Sequence, residues 1–214
     1  MDAGLLQAVA LIVLGYLIGS LPMGVLVARL TGGRDPRTVG SGRTGGTNAL
    51  RAMGARRAIL VGILDIAKGA LPILLAGWLG ATDVVAALAG LAALLGAWRS
   101  IFLGFSGGRG VAAGCGGMLV VSPAIVVIVV PVFVGVIWWT RYVSLGSLLG
   151  IAVGALVSVA FVALGWLAAA WLIYTLFGAA LVWYAHRDNI ARLLAGTERR
   201  LDPRGGPSAT PPSD

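Results

Sequence analysis

Ser41-Gly-Arg-Thr-Gly-Gly-Thr-Asn48, with Arg51 just after it, is a polar, glycine-rich insert between two long apolar runs, 5–30 and 57–80. Working outward, the same alternation continues. A second polar segment, Ser106-Gly-Gly-Arg-Gly110, separates the apolar run 84–103 from 110–121, and further runs cover 123–140, 145–163 and 166–185. The 214 residues are 58% hydrophobic and only 11% charged, with a mean hydropathy of +0.95. A soluble domain carries roughly 25% charged residues. The chain therefore reads as an all-α polytopic membrane protein, with one membrane domain over 1–204 and a Pro/Ser/Gly-rich tail, 205–214, that is too polar to fold.

The basic residues set the topology. They gather in four groups, Arg29 to Arg57, Arg99 with Arg109, Arg141, and Arg187 to Arg204, while the joints at Gly80–Asp83, Ser122–Pro123 and Leu164–Gly165 carry no Lys or Arg. With all four groups on the cytoplasmic side, the first run crosses once and each later interval crosses twice. The expectation is seven transmembrane helices, some short or broken, with the N-terminus outside and the C-terminus cytoplasmic. The net charge of +8 then follows from topology and calls for no nucleic acid. The start of the chain does not resemble a cleavable signal, since its first basic residue is Arg29. One interval is tight. A helix needs about 20 residues to span about 30 Å, so 110–121 reads as a short helix starting in a sunken pocket, or as a re-entrant segment. The glycine-rich turn before it would line a cavity at the cytoplasmic face.

Neither glycine-rich segment serves a membrane span. Glycine lets backbone N–H groups turn inward, and Arg, Ser, Thr and Asn add donors, which is the chemistry of an anion cradle. The first segment lacks the spacing of a Walker A motif; a short helix over Thr47–Met53, capped by Ser, Thr or Asn, would aim free N–H groups at an anion. The plain alternatives are a flexible basic loop on lipid head groups for 41–48 and a tight turn with one topogenic Arg for 106–110. Asp65 and Lys68 share a face of the second span at i,i+3, either lining a site or tying helices together. Arg141-Tyr-Val-Ser144 could equally be a topogenic Arg, an interfacial Tyr and a helix cap. His186, the only histidine, stands at the end of the last span with Asn189 one turn on. Cys115 reads as a packing residue and, being single, excludes a disulfide within the chain. One His and eight scattered carboxylates give no metal site, and no cofactor is expected.

Six motifs in order resemble the bacterial membrane-integral acyl-phosphate:glycerol-3-phosphate acyltransferase family. They are Gly19-Ser-Leu-Pro-Met-Gly24; Val39-Gly-Ser-Gly with Gly45-Gly-Thr-Asn-Ala-Leu-Arg51-Ala-Met-Gly54; Leu64-Asp-Ile-Ala-Lys-Gly69; Gly104-Phe with Gly107-Gly-Arg-Gly-Val-Ala112; Arg141-Tyr-Val-Ser-Leu145; and His186-Arg-Asp-Asn-Ile-Ala-Arg-Leu-Leu-Ala-Gly-Thr-Glu198. The resemblance implies a seven-helix, N-out enzyme of phospholipid synthesis in the bacterial inner (plasma) membrane, monomeric, with its active site facing the cytoplasm. It would pass a long-chain acyl group from acyl phosphate to the 1-hydroxyl of sn-glycerol 3-phosphate, giving lysophosphatidic acid and phosphate. Catalytic roles would fall on Ser41, Arg51, His186 and Asn189. Binding roles would fall on Gly42, Arg43, Gly45, Thr47, Asn48, Gly107, Gly108, Arg109, Gly110 and Ser144, with Lys68 second to these. Acyl phosphate is already activated, so no covalent nucleophile is called for, and a substrate phosphate oxygen could take the hydroxyl proton. Ala191 removes the His-x4-Asp pair of other glycerolipid acyltransferases.

The chain departs from the family pattern at Arg43 (usually Asn), at Ser106 and Arg109 (often Lys), and at Gly96-Ala97 (usually Gly-His). These departures leave open a relative with another acceptor or donor. Readings from other classes are a small organic-anion transporter, which inverted repeats would favour and none are seen, and a scaffold binding anionic lipids. Arg199, in the basic tail, is expected to be nearly silent when replaced by Ala.

Overall fold

Backbone N–H and C=O groups inside a bilayer must pair within their own segment, which leaves helices as the economical answer for a chain this apolar. The computed structural model describes residues 2–201, and the tail expected over 205–214 lies outside the described residues. The helices are α1 (Ala3–Ser20), α2 (Met23–Leu30), α3 (Gly46–Met53), α4 (Ala55–Trp78), α5 (Asp83–Trp98), α6 (Val111–Val121), α7 (Pro123–Thr140), α8 (Val143–Ala163), α9 (Gly178–Ala185) and α10 (Arg187–Leu194). Four of them, α1, α4, α7 and α8, are long and apolar enough to cross a membrane; α5, α6 and the helix Ile173–Ala185 that contains α9 are shorter.

The expected run 5–30 is two helices rather than one. Pro22 lacks an N–H and its ring blocks a continuing helix, so α1 ends at Ser20 and α2 starts at Met23. The break frees the Leu21 carbonyl, which accepts a 2.9 Å hydrogen bond from Lys68 Nζ of α4. Lys68 also pairs with Asp65 at 2.7 Å, and both are buried. The pair expected from i,i+3 spacing is thus present, and it ties α4 to the α1–α2 corner. The run 166–185 also starts late. Gly165 takes φ +73° after α8, and the N–H of Trp166 reaches back to the Phe161 carbonyl at 2.8 Å, closing that helix with a six-residue loop of the Schellman kind. Helix resumes only at Trp171 and passes through a π-helical stretch, Ile173–Phe177, before α9. Apolar character alone does not separate such turns from helix.

Helices meet through small residues, as membrane bundles do. α1 lies along α5 with Gly19 against the backbone of Ala93, and α4 lies along α6 with Gly69 against the backbone of Ala113. A Cβ at either glycine would overlap the facing backbone. α7 and α8 pack as an antiparallel pair joined by Arg141 and Tyr142. α6, with 11 residues, is only about 16 Å long. That is about half of the roughly 30 Å of a hydrocarbon core, so 110–121 forms a short helix rather than a full span.

Candidate active site

The first glycine segment is folded around one side chain. Asn48 is 2% exposed, and its Nδ2 faces the carbonyls of Pro36 (2.5 Å), Val39 (3.0 Å) and Arg43 (2.8 Å). Its Oδ1 accepts the Ser41 N–H at 3.2 Å. An amide nitrogen has two hydrogens, so three carbonyls leave none for a ligand. Asn48, expected to touch phosphate, shapes the loop instead. Gly40 and Gly42 take φ +53° and +66° to make its turns. Asp35 closes the start of the loop, capping the turn Pro36–Thr38 and pairing with Arg37 at 2.6 Å, which holds its carboxyl below the usual range. α3 is capped by Gly45 with no side-chain cap, contrary to the Ser, Thr or Asn cap expected. The N–H groups of Gly45, Gly46 and Thr47 make no hydrogen bond among the described residues.

The second segment turns at Gly104 and Phe105, both with φ 59°, and is held by the Ser100–Ser106 bridge. The Gly108 N–H donates to the Ala97 carbonyl at 2.9 Å. Gly110, with φ +80°, starts α6. The two segments meet. A Cβ built on Gly108 would stand 3.7 Å from Thr44 Oγ1 and 3.9 Å from the Gly45 nitrogen. The N-termini of α3 and α6 thus open onto one space, each bringing unpaired N–H groups and the positive end of its dipole.

That space is a cavity of about 540 Å³. Its polar end takes Ser41, Arg43, Gly45, Thr47, Asn48 and Arg51 from the first segment and Gly108, Arg109 and Gly110 from the second. Lys68, Ser144, His186 and Asn189 also line it. Two expected residues do not. Gly42 serves a turn, and Gly107 packs against the carbonyls of Ala97 and Trp98. The other end is apolar, walled by Val126, Val129 and Phe133 of α7, Ile151 and Ala155 of α8, and Met118 of α6.

Charge in the polar end is positive and only partly answered. Burial, and then the nearby charge of Arg43, pushes the pKa of the Arg109 guanidinium down to about 10, and its buried Nε has no partner among the described residues. Arg43 reaches Asp188 at 3.4 Å across the mouth. Arg51 makes no hydrogen bond among the described residues; burial, and then the charge of Arg199, lowers its pKa. His186 is 2% exposed, and its Nδ1 lies 2.8 Å from the Val182 carbonyl. A carbonyl only accepts, so Nδ1 carries the hydrogen and the Nε2 lone pair is left as an acceptor. Burial foremost, with the charges of Arg109 and Arg43, pushes the imidazole down to about 4.

Three charged lining residues, Glu198, Arg192 and Arg199, are not among the expected site residues. Glu198 accepts from Ser144 Oγ (2.9 Å), Asn189 Nδ2 (2.6 Å) and Arg192 Nε (2.8 Å). Ser144 therefore bonds a carboxylate rather than capping α8, whose start has no side-chain cap. Glu198 was visible as the end of the last motif, but a carboxylate is an unexpected member of an anion site. Arg199, read as a tail charge outside the site, stands on the cavity wall.

An oily slot ending in unpaired N–H groups and guanidiniums suits an amphiphile with a phosphate head. The glycerol-3-phosphate acyltransferase family model matches residues 9–196. A glycerol-3-phosphate acyltransferase of Thermus thermophilus is 44% identical over 198 residues, 92% of this chain and 96% of the relative. Glycerol-3-phosphate acyltransferase 1 of Deinococcus radiodurans is 41% identical over 196 residues, 92% of this chain and 96% of the relative. The crystal structure of PlsY (YgiH), an integral membrane glycerol 3-phosphate acyltransferase in its glycerol 3-phosphate form, superposes with a TM-score of 0.83 at 38% identity, covering 92% of this chain and 96% of that one. Sequence, fold and coverage agree, and the chain belongs to the glycerol-3-phosphate acyltransferase family.

Proposed function

We propose that this protein transfers a fatty acyl group from acyl phosphate to the 1-hydroxyl of sn-glycerol 3-phosphate, giving lysophosphatidic acid and phosphate for phospholipid synthesis. The observation that carries the reading is the meeting of two N–H-bearing glycine segments at the polar end of an apolar slot. Two anions side by side are what this reaction presents, one leaving the donor and one belonging to the acceptor. The acyl chain lies between α6, α7 and α8. Ser41, Gly45, Thr47 and Arg51 hold one phosphate, and Arg109 and Gly110 at the start of α6 hold the other, with Arg43 between them; Gly108, whose N–H is spent on the Ala97 carbonyl, lets the two segments approach. Gly42 and Gly107 shape the two turns, Asn48 holds the first loop, and Lys68 braces the wall from the α1–α2 corner.

The acceptor hydroxyl attacks the acyl carbonyl, the C–O bond to phosphate breaks, and the hydroxyl proton passes to a phosphate oxygen. Positioning and charge stabilisation supply the rate. His186 Nε2 accepts a hydrogen bond from the attacking hydroxyl and orients it; an imidazole with a pKa near 4 is a weak base at neutral pH. Asn189 and Ser144 act through Glu198. The ratio of wild-type to His186→Gln rate should therefore stay flat from pH 8 to 5.5, because the ring is already neutral across that window. A ratio that falls on acidification through pH 6.5 would show an imidazole titrating normally. Arg51→Ala should cost about 2 kcal/mol of transition-state stabilisation, or more than tenfold in kcat/KM.

Contacts among the four basic groups support seven crossings with the N-terminus outside and the site cytoplasmic. The first loop meets the segment of Arg109, Arg43 reaches Asp188, and the Arg141 carbonyl accepts from Leu201, so all four gather at one end of the bundle. One chain's own helices supply these cavity walls, which suits a monomer in the bacterial inner membrane. The test is phosphate release from palmitoyl phosphate by purified protein, with and without glycerol 3-phosphate. Acceptor-dependent release with lysophosphatidic acid formed supports the reading; its absence from a folded preparation points to another acceptor or to anion transport.

A further inference from the structure

Beyond α10 the chain turns at Gly196 and runs back over the polar end of the cavity as a short strap. It is pinned twice. Glu198 holds Ser144, Asn189 and Arg192, and its side chain is only 6% exposed. Three residues on, the Leu201 N–H donates to the Arg141 carbonyl at 2.7 Å. Arg200 adds a 3.2 Å bond to the Tyr142 hydroxyl, with its guanidinium 5.3 Å from that ring's centroid. Arg199 lies between these pins, so its backbone has little freedom to carry it away. It lines the cavity and makes no ion pair or hydrogen bond among the described residues.

Its electrostatic neighbour is Arg51, whose pKa its charge helps to lower. Among the described residues the nearby carboxylates are already engaged, Glu198 with Arg192 and Asp188 with Arg43 and Arg187. Two guanidiniums facing one space repel each other unless an anion sits with them. The plain alternative is a solvated surface charge, since Arg199 is exposed. A solvated charge does not require pinning on both sides or a place on the cavity wall.

We infer that Arg199, carried on the strap Gly196–Leu201, is a further substrate-binding arginine that closes on a phosphomonoester dianion opposite Arg51. The inference deepens the acyltransferase reading and rests on it for the identity of the dianion, which is either the head of acyl phosphate or the phosphate of glycerol 3-phosphate.

Full-length protein carrying Arg199→Gln, Arg199→Lys or, as a control for overall charge, Arg56→Gln distinguishes these. Arg56 is exposed at the start of α4 and has no part in the cavity wall. Three quantities are read: KM for each substrate, kcat, and the Kd for inorganic phosphate by calorimetry. Loss of one charge-assisted contact from an exposed arginine should raise one KM and the phosphate Kd about fivefold in Arg199→Gln. Thermal stability and kcat should hardly move, Arg199→Lys should keep most of the affinity, and Arg56→Gln should match wild type. A raised KM for glycerol 3-phosphate assigns the dianion to the acceptor; a raised KM for palmitoyl phosphate assigns it to the donor. The inference is overturned if Arg199→Gln leaves both KM values and the phosphate Kd unchanged, or if Arg56→Gln shifts them as much. A wild type that binds phosphate but transfers no acyl group would sink the acyltransferase reading, and the phosphate Kd of the Arg199 variants would still decide the role of Arg199.

Discussion

Asn48→Asp is expected to lower kcat/KM at least about a hundredfold, although the two side chains have the same shape. The Nδ2 of Asn48 faces three backbone carbonyls, those of Pro36, Val39 and Arg43, in a place that is 2% exposed. Asp puts an acceptor there. The three carbonyls lose the two hydrogens they share, and a buried negative charge faces three oxygens. Leaving buried acceptors unpaired costs about 1–3 kcal/mol each, so the loop will reorganise rather than keep its turns at Gly40 and Gly42. The N–H groups of Gly45, Gly46 and Thr47 would then lose their common aim. Phosphate release from palmitoyl phosphate reads the effect, with Asn48→Ala as a companion that removes the donors without adding charge. If Asn48→Asp kept more than about a tenth of the wild-type rate, worth less than 1.4 kcal/mol, the loop would not depend on that amide.

Glu198→Ala should reduce both stability and activity. Its carboxylate collects hydrogen bonds from the α8 start (Ser144) and from α10 (Asn189 and Arg192). Removing it strands those donors and leaves Arg192, whose side chain is 30% exposed, without its ion pair. With the pair partly screened, the expected loss is about 2–3 kcal/mol, read as a lower melting temperature in detergent. The strap loses one of its pins as well. Local charge becomes more positive near His186, whose pKa Glu198 now raises, so the imidazole should become still harder to protonate. A Glu198→Ala protein as stable as wild type would mean that α8 and α10 are held together by something other than this carboxylate.

The helices were legible because they depend on hydropathy and length. α4, α7 and α8 lie where unbroken apolar runs stand, and the shortness of α6 followed from counting 110–121 against a bilayer. The corner at Pro22 was written in the sequence but hidden inside a continuous apolar run, and the late start of the last helix had no polar residue to mark it. Most of the cavity wall was legible because glycine, arginine and small polar residues are costly in a membrane segment and so stand out. The partition of labour within it was not. That Asn48 serves the backbone and that Ser144 serves Glu198 are consequences of contacts between residues 5 to 54 positions apart, and Arg199 reaches the cavity wall beside residues far from it in the chain; no local pattern encodes these.

The apolar end of the cavity has a chemical consequence. The N-terminus of α6 opens into a space whose other end is walled by side chains of α6, α7 and α8, so on the proposed reading the reacting carbonyl lies with aliphatic groups behind it. Water is scarce beside such walls, and acyl phosphates hydrolyse readily in water. A dilute alcohol can therefore win against the solvent, because the polar end brings glycerol 3-phosphate to the carbonyl and the walls keep most of the competing hydroxide away.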